Sequence, residues 1–98
     1  MKSIEEILVF IEDKCLPCER VIKTVERLHT VCLVNKVRIF NRNTDPQSCH
    51  KFGVRIFPTV FINGRLAFYG EFSVEDVQRF IHHSVQESLK TVEIKNSK

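Results

Sequence analysis

Ninety-eight residues with 43% hydrophobic content suit one small soluble domain, and no apolar run approaches the ~20 residues a membrane span needs. The net charge of +3 comes from 15 basic and 12 acidic residues scattered among one another, so neither a nucleic-acid partner nor a membrane is expected. Four cysteines at uneven spacing do not read as a secreted disulfide framework, and no small-residue cleavage site follows the first apolar run; no signal peptide and a reducing, cytoplasmic setting are expected.

Glu6 to Ile11 is a continuous apolar run of strand length, consistent with a strand buried on both faces. From Cys18 onward Val21, Ile22, Val25 and Leu28 recur at helical spacing, and Cys32 continues that stripe. Val37 and Ile39 alternate with Arg38 as in a half-buried strand. Asp45-Pro46 opens a short helix, with Pro46 suited to the first helical position and Gly53 to its end. Thr59 to Ile62, Asn63-Gly64 and Arg65 to Phe68 read as a hairpin around a type I′ turn. Ser73 caps a last helix with apolar positions Val77, Phe80, Ile81, Val85 and Leu89, and Asp76 is a weak stand-in for the Glu or Gln of a capping box. Residues 91–98 form a polar tail after a domain spanning 1–90.

This order predicts an α/β fold, βαβαββα, whose first two strands are parallel because a helix joins them. The hairpin adds an antiparallel pair, giving a four-stranded mixed sheet with helices on both faces. At the C-terminal end of the first strand, where open α/β sheets place their sites, stands Cys15-Leu16-Pro17-Cys18. Two cysteines at i and i+3 on a helix N-terminus share one face and can close a disulfide. The helix end supplies N–H groups and a partial positive charge that favour thiolate over thiol. The same pair could be half of a zinc site. A set made from Cys15, Cys18, Cys32 and Cys49 or His50 would lack the second closely spaced pair such sites usually show.

With Cys15-Leu16-Pro17-Cys18, the run from Asn41 through Asp45-Pro46 to Phe57-Pro58-Thr59, the Asn63-Gly64 turn and Gly70-Glu71-Phe72-Ser73, the chain resembles the thioredoxin family from about Ile7 to Leu89. It departs at several positions. Lys14 and Leu16 stand where the family usually has Trp and Gly, Val9 replaces a buried Asp, Ile39 a nearby Lys, and Lys23 a helix-kinking Pro. Glutaredoxins, similar in length, usually place Pro directly after the first cysteine and Thr-Val-Pro at the cis-proline, whereas this chain has Pro17 and Ile56-Phe57-Pro58.

The resemblance implies a thioredoxin-like fold and a thiol–disulfide oxidoreductase that reduces protein disulfides without a cofactor. Its partners would be disulfide-containing proteins and an upstream thioredoxin reductase-like enzyme or glutathione. Cys15 would be the nucleophile and Cys18 the resolving thiol of a redox-active disulfide. Lys14 would add a charge beside Cys15, and Pro17 would stiffen the first turn. Pro58 would be a cis-proline exposing the Phe57 backbone to an extended substrate. Leu16, Phe57, Thr59, Gly70 and Glu71 would line the substrate groove, with Tyr69 and Phe72 at its edge. Cys32 and Cys49 read as packing thiols and His82-His83 as helix surface. Two alternatives stay open. One is a glutathione-dependent, glutaredoxin-like enzyme using Arg55 and the last helix N-terminus for a carboxylate. The other is a non-enzymatic module holding a metal or partner through the cysteine pair.

Overall fold

The apolar run becomes the central strand because both of its faces find cover. The structure, a computed structural model, describes residues 4–83. Strand β1 covers Ile4–Ile11, two residues longer at its start than the run itself. The extension follows from Ile4, which is buried, pairs with Val34 and donates its N–H to the Leu33 carbonyl at 2.7 Å. Helix α1 (Leu16–Thr30) leads to β2 (Val34–Asn41), which runs parallel to β1; α2 (Pro46–Lys51) follows, then the antiparallel strands β3 (Thr59–Ile62) and β4 (Arg65–Tyr69). A last helix, α3, occupies 74–83. Sheet order is β2-β1-β3-β4. The expected mixed four-stranded sheet with three helices is the observed architecture. Val85, Leu89, the tail and the boundary at residue 90 lie outside the described residues.

Alternation along β1 divides the core in two. Ile7 and Val9 join Val60 and Ile62 beneath α1 and α3, which contribute Val21, Val25, Leu28 and Val77. Leu8 and Phe10 face the other way, with Cys49 of α2 and the rings of Phe40, Phe57 and Phe61 around them. In β2, Val37 packs against the first cluster, while Ile39 is left exposed on this edge strand.

Local chemistry sets the boundaries. Asp45 caps α2 by accepting from Ser48 N, and Asn63 and Gly64 both take positive φ in the hairpin turn. Asp76 does more than expected. Its Oδ2 accepts from Ser73 N at 2.8 Å while Ser73 Oγ accepts from Asp76 N at 3.1 Å, a complete reciprocal capping box.

One expectation fails. Cys32 is not on the buried stripe of α1, because the helix ends at Thr30 and Cys32 is exposed with φ 64°. Leu33 N bonds to Leu28 O and Cys32 N to His29 O, both at 3.0 Å. That is a Schellman ending in which cysteine takes the left-handed place usually given to glycine. Helix α2 ends the same way around Gly53, through Val54 N to Cys49 O and Gly53 N to His50 O.

Candidate functional site

The cysteine pair stands where β1 gives way to α1. Cys15 is the N-cap, with extended backbone (φ −120°, ψ 100°), and Leu16 and Pro17 fill the first helical positions. The first turn of a helix has N–H groups without intrahelical partners. Pro17 has none to satisfy. The Cys18 N–H instead points back and donates to Cys15 Sγ at 3.1 Å. Cys15 therefore caps the helix with sulfur, as a serine would with oxygen, and its Sγ sits at the positive end of the helix. A thiolate there gains a hydrogen bond and a favourable field together. Cys15 and Cys18 are joined as a disulfide with Cα atoms 5.2 Å apart. Cys15 is half-buried and Cys18 is 2% exposed, so an incoming group meets Cys15 first.

Strand register brings other expected residues to this end of the sheet. Thr59 pairs with Phe10 near the end of β1 and with Tyr69 at the end of β4, which places Pro58 and Gly70 beside the C-terminal end of β1. The Phe57–Pro58 peptide bond is cis, and Pro58 O accepts from Gly70 N at 2.8 Å. Gly70 has φ 83°, a conformation that side chains rarely adopt, so glycine is suited to this turn. The next residue, Glu71, reaches Arg20 of α1 at 3.2 Å. Both side chains are exposed, so the pair adds little stability, but it ties the glycine loop to the cysteine helix. Arg20 carries no motif signal and was not foreseen.

Of the other expected residues, some take different roles and some stand as read. Thr59 is 1% exposed and its hydroxyl donates to Ile56 O, so its side chain braces the turn before Pro58 and cannot reach a substrate. The half-buried Phe57 side chain turns to the second core cluster, with the Arg42 guanidinium 5.8 Å from its ring centroid. Phe72 is core, stacked on Phe68 at 4.5 Å, whereas Tyr69 is exposed. Lys14 is exposed with φ 55°, and Leu16 is exposed between the cysteines. His82 and His83 are exposed on α3, and Arg55 is exposed in the loop before Pro58.

The remaining thiols are separated from the pair and from each other. Cys49 is buried on the α2 face, where burial first and the Asp45 charge second push its thiol above the ordinary range, as befits a packing residue. Cys32 is exposed at the far end of α1. Among the described residues, no three His, Cys, Asp or Glu side chains are grouped as a metal site would need.

A capping thiol, a buried second thiol, a proline turn and a glycine loop thus meet at one sheet end. Residues 5–82 match the model of the thioredoxin domain. The chain belongs to the thioredoxin family. Thioredoxin 1 of the thermophilic eubacterium Thermosipho africanus superposes with a TM-score of 0.66 at 21% identity, over 85% of this chain and 97% of that one. Thioredoxin-2 of the malaria parasite gives 0.66 at 18% identity over 85% of each chain, and Fasciola hepatica thioredoxin 0.60 at 17% over 84% and 83%. These likenesses establish a shared fold. No curated protein matches the chain by sequence. A thioredoxin-family domain with a close cysteine pair supports a thioredoxin-like redox function.

Proposed function

We propose that this thioredoxin-family protein reduces protein disulfides by dithiol exchange. The observation that carries the reading is the asymmetry of the pair: Cys15 Sγ caps α1 and accepts the Cys18 N–H, while Cys18 lies behind it, buried. In the reduced protein the Cys15 thiolate attacks one sulfur of a substrate disulfide. That S–S bond breaks, the first substrate thiolate leaves and takes a proton, and a mixed disulfide forms. Cys18 loses its proton and attacks Cys15 Sγ, releasing the second substrate sulfur. Two electrons have passed to the substrate, and Cys15–Cys18 is left oxidised.

Leu16, exposed by 58% between the cysteines, gives the surroundings of the pair an apolar character suited to polypeptide substrates. The Gly70–Glu71 loop and the Pro58 turn form the groove wall, and Lys14 adds positive charge next to the nucleophile. The partners are disulfide-containing proteins and a reductase that recharges the pair, in a reducing compartment such as the cytoplasm.

Reduction of a protein disulfide such as that of insulin, with either thioredoxin reductase or glutathione plus its reductase as the sole electron source, tests the reading. Turnover with thioredoxin reductase is expected. Turnover with glutathione alone would favour the glutaredoxin-like alternative, and activity that survives Cys15→Ser would sink the mechanism.

A further inference from the structure

We propose that Asn41 and Asn43 are positioning residues for the Cys15–Cys18 pair, holding the turn that presents Cys15 as the sulfur cap of α1. The proposal rests on the dithiol-exchange reading above and gives a role to two side chains of the Asn41-to-Pro46 run that the resemblance leaves without one.

Three residues separate the end of β1 from Cys15, and the segment 41–43 at the end of β2 grips the chain as it leaves the sheet. Arg42 N donates to Ile11 O at 2.8 Å. The Arg42 guanidinium pairs with Glu12 at 3.0 Å. Asp13 N donates to Asn43 Oδ1 at 2.9 Å, and Asn41 Nδ2 donates to Asp13 Oδ1 at 3.1 Å. The clasp is itself tightened by Asn43 N bonding to Asn41 Oδ1 at 2.7 Å. The next residue is Lys14, in the left-handed region at φ 55°, and Cys15 follows as the cap. A lysine resists that backbone conformation, so something outside the turn must hold it. The side-chain clasp does so from the neighbouring parallel strand.

Turn formation alone does not account for these groups. A local Asn turn needs only Asn41 Oδ1 on Asn43 N. Asn41 Nδ2 and Asn43 Oδ1 reach across to Asp13 instead. Their loss would free the turn, let Lys14 relax towards negative φ, and loosen the Cys18 N–H to Cys15 Sγ bond. The charges around the turn are Glu12 and Arg42, which pair, Asp13 within the clasp, exposed Lys14, Glu19 and Arg20 on α1, and Asp45, whose N–H donates to Asn41 O at 2.7 Å. None is altered by changing Asn43 to alanine, so any change in Cys15 reactivity comes from geometry.

The test is the pH profile of Cys15 alkylation in the reduced, full-length protein, with Tm recorded alongside. For Asn43→Ala, the Cys15 thiolate fraction on the acid side of its profile should fall about three- to tenfold, the scale of a weakened hydrogen bond to a charged sulfur. Asn43→Asp, which keeps the accepting oxygen, should restore the profile when its added charge is screened at about 0.5 M salt. Asn43 is exposed, and Asn43→Ser offers a milder loss should the alanine variant not fold. An unchanged alkylation profile beside a lowered Tm would reduce the clasp to a stabilising turn and overturn the proposal. So would a shifted profile that the aspartate fails to restore. Failure of the wild-type protein to exchange with any disulfide would instead remove the dithiol reading, an outcome visible independently of the alkylation profile.

Discussion

Substituting Val9→Asp should make folding strongly pH-dependent. Val9 is 0% exposed in the central strand, and its cross-strand neighbours are Ile39 and Val60. The family usually places a buried Asp at this position and a Lys near it, but here Ile39 stands in place of that lysine and offers no counter-charge. Burial without a partner raises a carboxyl by roughly 3–5 pH units. The sign follows from linkage. The unfolded chain would release the new carboxyl's proton above about pH 3.9 while the folded protein still held it. The unfolded state then binds fewer protons, and stability falls as pH rises.

The slope is about 1.36 kcal/mol per pH unit until the folded carboxyl itself ionises. By pH ~7.5 the accumulated loss is roughly 4–5 kcal/mol, beyond the apolar contribution forfeited with the valine, about 1.5–3 kcal/mol. A domain of this size holds only about 5–15 kcal/mol in total. The variant should therefore fold in mild acid and be marginal or unfolded at neutral pH. Urea midpoints for wild type and variant, taken between about pH 4 and 7.5, would measure the difference. A difference that stayed flat across that range would mean that the position reaches water or a cation, and the account of this core would be wrong.

Cys18→Ser should accumulate a mixed disulfide through Cys15, seen as a shift on a non-reducing gel, whereas Cys15→Ser should trap nothing at this motif; an adduct on Cys18 would reverse the roles. Cys32→Gly should leave Tm unchanged or raised by a few degrees, because glycine takes φ 64° without strain, and reductase activity should persist; lost activity would give that thiol a function. The Ser73 N–H first, and Arg79 second, hold the Asp76 carboxyl below its ordinary range. Its contribution is therefore present above the unfolded value and lost as pH falls through the lowered folded one, so the Tm gap between wild type and Asp76→Asn should close in acid. A gap of constant size from neutral pH to about pH 2 would show that the carboxylate charge is irrelevant to the cap. With Pro17 offering Cys18 neither charge nor hydrogen bond, the Cys15–Cys18 couple should lie nearer the −270 mV of thioredoxin than about −120 mV; a value above roughly −180 mV in a glutathione buffer would make it an oxidant.

The legible parts of this fold are those with local chemistry. Asn63-Gly64 announces the hairpin because few other pairs take two positive φ values in succession, and Pro46 and Gly53 bracket α2 for reasons internal to the segment. The two Schellman endings show where legibility stops. Gly53 marks one of them, but at the other the left-handed residue is Cys32, four places after Leu28, which mimics one more turn of the apolar stripe. Periodicity cannot distinguish a helix that continues from one that has just ended. Thr59 was misplaced for a related reason. Its neighbour Pro58 has a motif, but burial of the threonine depends on β3 lying between β1 and β4. Asn41 and Asn43 stand in a recognisable run, but their contacts, like that of Arg20, are not legible because each acts on a residue about 30 or 50 positions away in the chain.

Topology explains why so small a domain can assemble a site from such distant segments. β1 and β2 are parallel and end together, which brings the starts of α1 and α2 to one edge of the sheet. β3 is antiparallel to β1, so it begins at that edge directly after Pro58, and β4, antiparallel again, ends there before Gly70. Each strand therefore delivers one chain end to the same place: the cysteine cap, the asparagine clasp, the proline turn and the glycine loop. The hydrogen bond from Gly70 N to Pro58 O and the Asn43 bond to Asp13 join these ends laterally. Of these lateral bonds, the one to Asp13 lies two residues from Cys15, so a change at Asn43 is expected to be felt there through backbone position, as the proposed clasp requires.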